Sequence, residues 1–173
     1  AGDFTTSGGL LGASCLTLNG SSEHATATTA NFRSSDTVGT IEAWFKSSDT
    51  DSDVQTIFSS SDTAGSSHYV SMHLKSGDIY LSLTDAGVND SAKHIGSWAD
   101  GKWHHVAWVS DDSYWKLYVD GKQVYLTVVA WAAGDSLPKW FNDISGRNNV
   151  SIGALTYTTT DSYFNGSIDE VRV

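Results

Sequence analysis

One cysteine and one proline occur in 173 residues. With Cys15 alone, no disulfide can close within the chain, and a lone thiol in this setting reads as a small buried hydrophobe rather than a nucleophile. No stretch reaches the roughly 18 consecutive apolar residues of a membrane-spanning helix, and no basic segment followed by an apolar run opens the chain. Neither membrane insertion nor a signal peptide is therefore expected. Positive charge is also scarce: 10 Lys and Arg stand against 20 Asp and Glu, for a net charge of −10. The basic residues are scattered singly, which excludes the electrostatic footprint of a nucleic-acid binder. An acidic, Ser/Thr-rich composition suits an extracellular, cell-surface or virion-surface protein and the binding of divalent cations. Helical apolar spacing longer than about three turns is missing too.

What the chain does have is β character. Aromatics make up 12% and hydrophobic residues 39% of it, enough for one domain, 1–173, with a substantial core. Such a domain suits a module of a longer protein. Alternating segments bounded by turn residues predict strands at 14–18, 23–27, 40–46, 55–59, 68–74, 79–84, 103–110, 114–119, 123–127, 150–153 and 166–173. About eleven strands in one domain imply an all-β, two-sheet antiparallel sandwich of jelly-roll type, because a single open sheet of that size exposes too much apolar surface. Between Thr127 and Asn149 the alternation dissolves into VVAWAAGDSLPKWFNDISGRNN, a long connection with one short helical turn. Connections of that length are often functional.

The segment GKWHHVAWVSDDSYWKLYVDGKQV, residues 101–124, reads as a strand, a turn at Asp111–Ser113, a second strand, and a tight Asp120–Gly121 hairpin. Alternation places Trp103, His105, Ala107 and Val109 on one face and Trp115, Leu117 and Val119 on one face of the next strand; these are expected to face the core. His105 is then a core histidine and His104 a half-exposed one. As strand neighbours they point apart and do not share a metal.

The motifs WHHVA (103–107) and LYVDG (117–121) resemble the signature hairpin of laminin G-like domains of the concanavalin A type, the lectin/glucanase group that includes pentraxin-like modules. CLTLNGSSEHATA (15–27), GTIEAWFKS (39–47) and FNGSIDEVRV (164–173) agree with it in order. The resemblance implies a concanavalin A-like jelly roll, but members of this group bind glycans, proteins or lipid head groups, or act as spacers, so the fold alone does not select a function. It also implies a structural calcium held by Asn19, Gly20, Glu23 and Asp169, with Asn19 where an aspartate is common. A second acidic segment, SSDTDSDV at 47–54, begins like a calcium loop but lacks the glycine and the terminal glutamate, and reads as a solvated connection.

Glycoside cleavage needs two carboxyl groups on one side of the substrate, roughly 5–10 Å apart. Asp169 and Glu170 are strand neighbours facing opposite ways, and Glu42 has no acidic partner two or four residues away. An enzyme is therefore not expected. Saccharide binding uses exposed rings that stack on sugar C–H groups, framed by amides and guanidinium groups. The aromatics outside the expected core pattern are Trp98, Trp131, Trp140, Phe141 and Tyr163, with Arg147, Asn148 and Asn149 close to them in sequence. These eight residues are the candidate ligand site; the competing role for the rings is to seal the open end of the sandwich. The expectation is thus a non-catalytic recognition module for a glycan or cell-surface carbohydrate, in an adhesin, tail-fibre or glycoside-processing assembly. The alternative is a structural module contacting neighbouring protein subunits of a virion or surface fibre. A glycoside hydrolase or polysaccharide lyase ranks behind both.

Overall fold

Period-two alternation is visible in strands such as Gly39–Lys46 and Trp115–Val119 of the computed structural model, which describes residues 3–5, 8–10, 12, 14–130 and 139–173. The strands are β1 (Asp3–Thr5), β2 (Cys15–Asn19), β3 (Ala25–Thr28), β4 (Gly39–Lys46), β5 (Gln55–Ser61), β6 (Tyr69–Lys75), β7 (Asp78–Asp85) and β8 (Val88–His94). They continue with β9 (His104–Ser110), β10 (Trp115–Val119), β11 (Lys122–Val124), β12 (Thr127–Ala130), β13 (Asn149–Ile152), β14 (Leu155–Thr156), β15 (Thr160–Asp161) and β16 (Asn165–Arg172). Among the described residues, one 3-10 turn, Phe141–Asp143, lies in the connection after β12, where one helical turn is predicted.

Two seven-stranded sheets result: sheet A in the order β1-β2-β16-β4-β9-β10-β11 and sheet B in the order β12-β8-β7-β6-β5-β13-β3. Every pairing within them is antiparallel. Sheet A contributes Leu16, Leu18, Ile41, Phe45, Val106, Trp108, Leu117 and Ile168 to the core, and sheet B contributes Phe58, Val70, Met72, Leu74, Ile79, Leu81 and Leu83. Alternation then forces the intervening residues of β5–β8 onto the outer face of sheet B. The predicted hairpin at Asp120–Gly121 is present, with φ of 49° and 75° and Val119 opposite Lys122. Positive φ at both central residues matches the right-handed twist of the flanking strands.

Two expectations are corrected here. On β9 the inward set is His104, Val106, Trp108 and Ser110, so Trp103, His105, Ala107 and Val109 face outward. The cause is register: Leu117 pairs with Trp108 and Val119 with Val106, and paired residues share a face. Strand β8, absent from the sequence reading, packs on β7 and buries Asp90, whose carboxylate meets Lys139 Nζ at 3.0 Å.

Candidate ligand-binding groove

On the outer face of sheet B, one cross-strand row is built almost wholly from serine. Thr26 on β3 lies opposite Ser151 on β13, which lies opposite Ser59 on β5; Ser59 faces Ser71 on β6, Ser71 faces Ser82 on β7, and Ser82 faces Ser91 on β8. These are among the smallest polar side chains available, so the sheet presents a trough there instead of a ridge. The flanking rows are taller: Ser61, Tyr69, Thr84 and Asn89 on one side, and His73, Tyr80 and Lys93 on the other.

The short β14–β15 hairpin folds over one half of this row. Gly153 starts the reversal at φ +83°, and a Cβ there would come within 2.2 Å of Leu18 Cδ1, so only glycine fits the turn. Ser59 Oγ donates to Ala154 O at 2.8 Å, Ser61 Oγ donates to Thr156 O, and Ser151 Oγ donates to Thr156 Oγ1 at 3.1 Å. The β6–β7 half stays open as a groove of about 440 Å³, whose lining includes Tyr69, Ser71, His73, Ser82, Asn89 and Tyr157. That volume lies in the range of saccharide- and drug-sized sites.

The groove is polar yet carries little charge. His73 stacks on Tyr80 with centroids 5.3 Å apart and planes 9° apart, and its Nδ1 lies 3.1 Å from Ser71 Oγ. Burial, with a smaller push from Lys75, drives the His73 pKa down to about 3, so the imidazole is neutral at ordinary pH. A neutral ring offers one donor and one acceptor. Tyr157 donates to Asp161 Oδ2 at 2.6 Å; that bond, then burial and the carboxylate charge, raise the phenol pKa to about 12. Hydroxyls, an amide, phenols and one neutral imidazole can each give and take a hydrogen bond, which is the chemistry a polyhydroxylated ligand requires.

Of the sequence-picked ligand residues that the structure describes, Asn149 lies beside the covered half of the serine row and the others lie elsewhere. Trp140 and Phe141 are 1% and 0% exposed, so the expectation that their rings face a ligand is corrected. Trp140 meets Trp108 edge to face at 5.1 Å and 89°, and Phe141 at 5.2 Å and 89°, filling the end of the sandwich beside Trp115. Arg147 is equally buried: its Nη1 donates to Phe32 O at 2.9 Å and Ser60 Oγ at 3.0 Å, and its Nη2 donates to Phe141 O at 2.7 Å. Desolvation lowers its pKa to about 10, and the guanidinium, stacked on Phe141 at 4.7 Å, fastens the 139–148 connection to the core. Asn148 Oδ1 accepts from Thr63 N and Oγ1, both at 3.0 Å. Asn149, buried in β13, accepts from Thr26 Oγ1 at 2.8 Å and donates to Ser151 Oγ at 2.8 Å. Trp98 packs edge-on against His104 at 5.1 Å, and Tyr163 edge-on against His24 at 5.7 Å. Trp131 lies outside the described residues.

The expected calcium ligands do not converge. Asn19 pairs with Asn165, and Asp169 lies four residues farther along β16, about 13 Å away at strand rise. Asn19 Oδ1 already accepts from the backbone N–H groups of Ser21, Ser22 and Glu23 at 3.0–3.2 Å, closing its own turn. Gly20 N donates to Phe164 O at 3.0 Å, and Asp169 accepts from the backbone of Leu10 and Glu170, both at 2.9 Å. No grouping of three or more His, Cys, Asp or Glu suited to a metal occurs among the described residues. In the 47–54 connection, Asp49 accepts from Asp51 N and Asn165 Nδ2, both at 3.0 Å, and so ties the loop to β16.

The two histidines of the WHH motif also exchange their expected roles. His104 is the buried one, with Nδ1 2.9 Å from Asp120 Oδ2 and Nε2 3.0 Å from Asp100 Oδ1, tying the start of β9 to the β10–β11 turn and to the connection before β9. His105 faces outward, where Trp44, Trp103 and His105 line an open depression of about 510 Å³ on sheet A. Its polar groups are committed to one another: Asp120 Oδ1 accepts from His105 N at 2.9 Å, His105 Nε2 lies 3.4 Å from Glu42, Arg172 donates to Glu42 at 3.2 Å, and Lys46 sits over Trp103.

No helix among the described residues is long and apolar enough to cross a membrane. No curated protein matches the sequence. Among solved structures, the carbohydrate-binding module CBM40 of the Ruminococcus gnavus IT-sialidase superposes with a TM-score of 0.70 at 15% identity, covering 92% of this chain and 90% of that one. The same module bound to α2,3-sialyllactose gives 0.64 at 17%, with 88% and 93% covered. Domain 4 of AbnA, an extracellular arabinanase of Geobacillus stearothermophilus, in complex with arabinotriose, gives 0.66 at 18%, with 99% and 75% covered. Domains LG4-5 of the mouse laminin α1 chain give 0.60 at 14%, with 90% of this chain and 39% of that one covered. These likenesses show the fold, and the Laminin_G_3 profile matches residues 19–173, so the chain belongs to the concanavalin A-like lectin/glucanase superfamily.

Proposed function

We propose that the protein is a non-catalytic carbohydrate-recognition module that holds its ligand along the serine-floored groove of sheet B. The observation that carries this reading is the Ser71–Ser82 pair at the open part of the in-register serine row, a floor of small hydroxyls walled by Tyr69 and Tyr157. Sugar hydroxyls find donors and acceptors on the floor, and tyrosine rings supply faces for their C–H groups. Among the described residues no carboxylate lines the groove, which supports binding without acid/base cleavage. Superposable modules with sialyllactose and arabinotriose in their structures support a saccharide as the ligand. The setting that fits is extracellular, as one module of an adhesin, tail-fibre or glycoside-processing assembly.

The test fills the groove. Ser71→Tyr combined with Ser82→Tyr is expected to abolish retention on a panel of immobilised glycans, measured well below the melting temperature of the variant, which falls because both serines are buried at the groove floor. Undiminished retention overturns the assignment of the groove. If wild type binds no glycan at all, the structural or protein-interaction module gains, and the exposed Ile95, Tyr125, Val128 and Val129 on and beside edge strand β12 become its surface.

A further inference from the structure

Resting on that reading of the groove, the placement of every basic residue narrows the ligand class. We infer that the groove selects uncharged saccharides over sialylated, uronic or sulfated ones.

All ten Lys and Arg residues fall within the described part of the chain. Arg147 is sealed in the core, Arg33 pairs with Asp36 at 2.6 Å, and Arg172 pairs with Glu42 and Glu170 on sheet A. Lys102 and Lys116 hold Asp100 and Asp111, Lys139 holds the buried Asp90, Lys46 covers Trp103, and Lys122 sits in the β10–β11 turn of sheet A. Two cations remain near the groove face. Lys93 Nζ is 2.9 Å from Asp78 Oδ2 and 5.3 Å from the Tyr80 ring centroid, while Lys75 is exposed at the end of β6 with Asp78 opposite it in register. Lys93 ends the His73–Tyr80 row beside the trough, held by Asp78, and neither lysine reaches the lining of the open groove.

A carboxylate or sulfate is best recognised by a planar guanidinium fork, and burying an anion without a charged partner is strongly unfavourable. The lining offers hydroxyls, Asn89 and a neutral His73 instead, with the Asp161 carboxylate directly behind Tyr157 and a net charge of −10 on the chain. Specificity here is a difference of affinities, set by what the site fails to satisfy in the wrong ligand.

Matched pairs test the inference on the whole chain by calorimetry and affinity electrophoresis: lactose against α2,3-sialyllactose, and fully methyl-esterified polygalacturonate against polygalacturonate, with arabinan as a further neutral probe. The expected result is binding of at least one neutral member, at least tenfold tighter than its anionic counterpart and unchanged between low and physiological salt, since no ion pair is being screened. Asn89→Arg, which adds a fork at the rim, is expected to narrow that ratio without changing the melting temperature by more than a few degrees. An anionic member binding tenfold tighter than its neutral partner, with loss in the Ser71→Tyr, Ser82→Tyr variant, overturns the selectivity while leaving the groove assignment standing. Silence of wild type across the whole panel overturns both.

Discussion

The outward faces of the two sheets solve the same problem in opposite ways. Sheet A presents large side chains, Trp44, Trp103, His105 and Tyr118, interleaved with Glu42, Lys46 and Arg172, and these groups bind one another: Arg172 holds Glu42, Glu42 lies beside His105, and Lys46 covers Trp103. Sheet B presents a row of serines whose open half has unoccupied space above it. Size and mutual satisfaction, rather than aromatic content, separate a packed surface from a receptive one. A ring draws attention in a sequence because it can stack on a sugar, yet here many rings already pack edge-on against one another.

The sharpest way to break that contrast is to remove a ring that sequence reasoning ranks first as a ligand contact. Trp140→Ala deletes a fully buried indole wedged against Trp108 and Phe141 and is expected to cost about 3–5 kcal/mol. For a domain of this size that lowers the melting temperature by about 6–20 °C. Glycan binding, measured well below the new midpoint, is expected to be retained. A small change in stability together with lost binding would instead return Trp140 to the ligand site.

A second test uses the two buried histidines. His104 sits between two carboxylates, whereas His73 on the groove side has Ser71, Tyr80 and no acid. The folded-state pKa of His73, about 3, lies below its unfolded value of about 6.5. The unfolded chain therefore takes up a proton first as pH falls. The contribution of His73 to stability is complete above about pH 6.5 and is lost between there and pH 3, at up to about 1.4 kcal/mol per pH unit. Denaturant titrations at pH 7, 5.5 and 4 are expected to show a steeper acid loss in wild type than in His73→Gln, which has no proton to take up. Equal slopes would mean that the ring is hydrated rather than desolvated.

These contrasts also mark how far the sequence could be read. Strands such as YVSMHL and DIYLSLT announce themselves by alternation, and Asp120–Gly121 announces its turn, because both signals are local. The face of β9 was ambiguous for a local reason too: Trp103, Ala107 and Val109 are as apolar as Val106 and Trp108, and only pairing with β10 decides between them. Strand β8 escaped because its one inward acid is satisfied by Lys139, which is distant in sequence. The groove escaped for the same kind of reason. Each serine is unremarkable in its own strand, and the row exists only after β13 pairs with β5 and β5 with β6 in one register. An alternating strand with a small polar residue at the centre of its outward face, repeated in adjacent strands, is the signal that would have found it.

The smallest expected effect lies on the competing surface. Trp103 is half-buried at the rim of the sheet A depression, beneath Lys46 Nζ at 5.9 Å from its ring centroid, and pairs with no ring of the core. If the groove is the saccharide site, Trp103→Ala is expected to change glycan affinity less than twofold and to shift the melting temperature by only a few degrees, since partly exposed side chains contribute modestly to stability. The comparison is most informative beside the Ser71→Tyr, Ser82→Tyr variant on the same ligand. Loss of affinity from Trp103→Ala with none from the serine variant would move the site across the sandwich, to the face where rings rather than hydroxyls surround the space. Partial loss from both would mean two sites, and calorimetric stoichiometry would then read two ligands per chain in wild type and one in each variant.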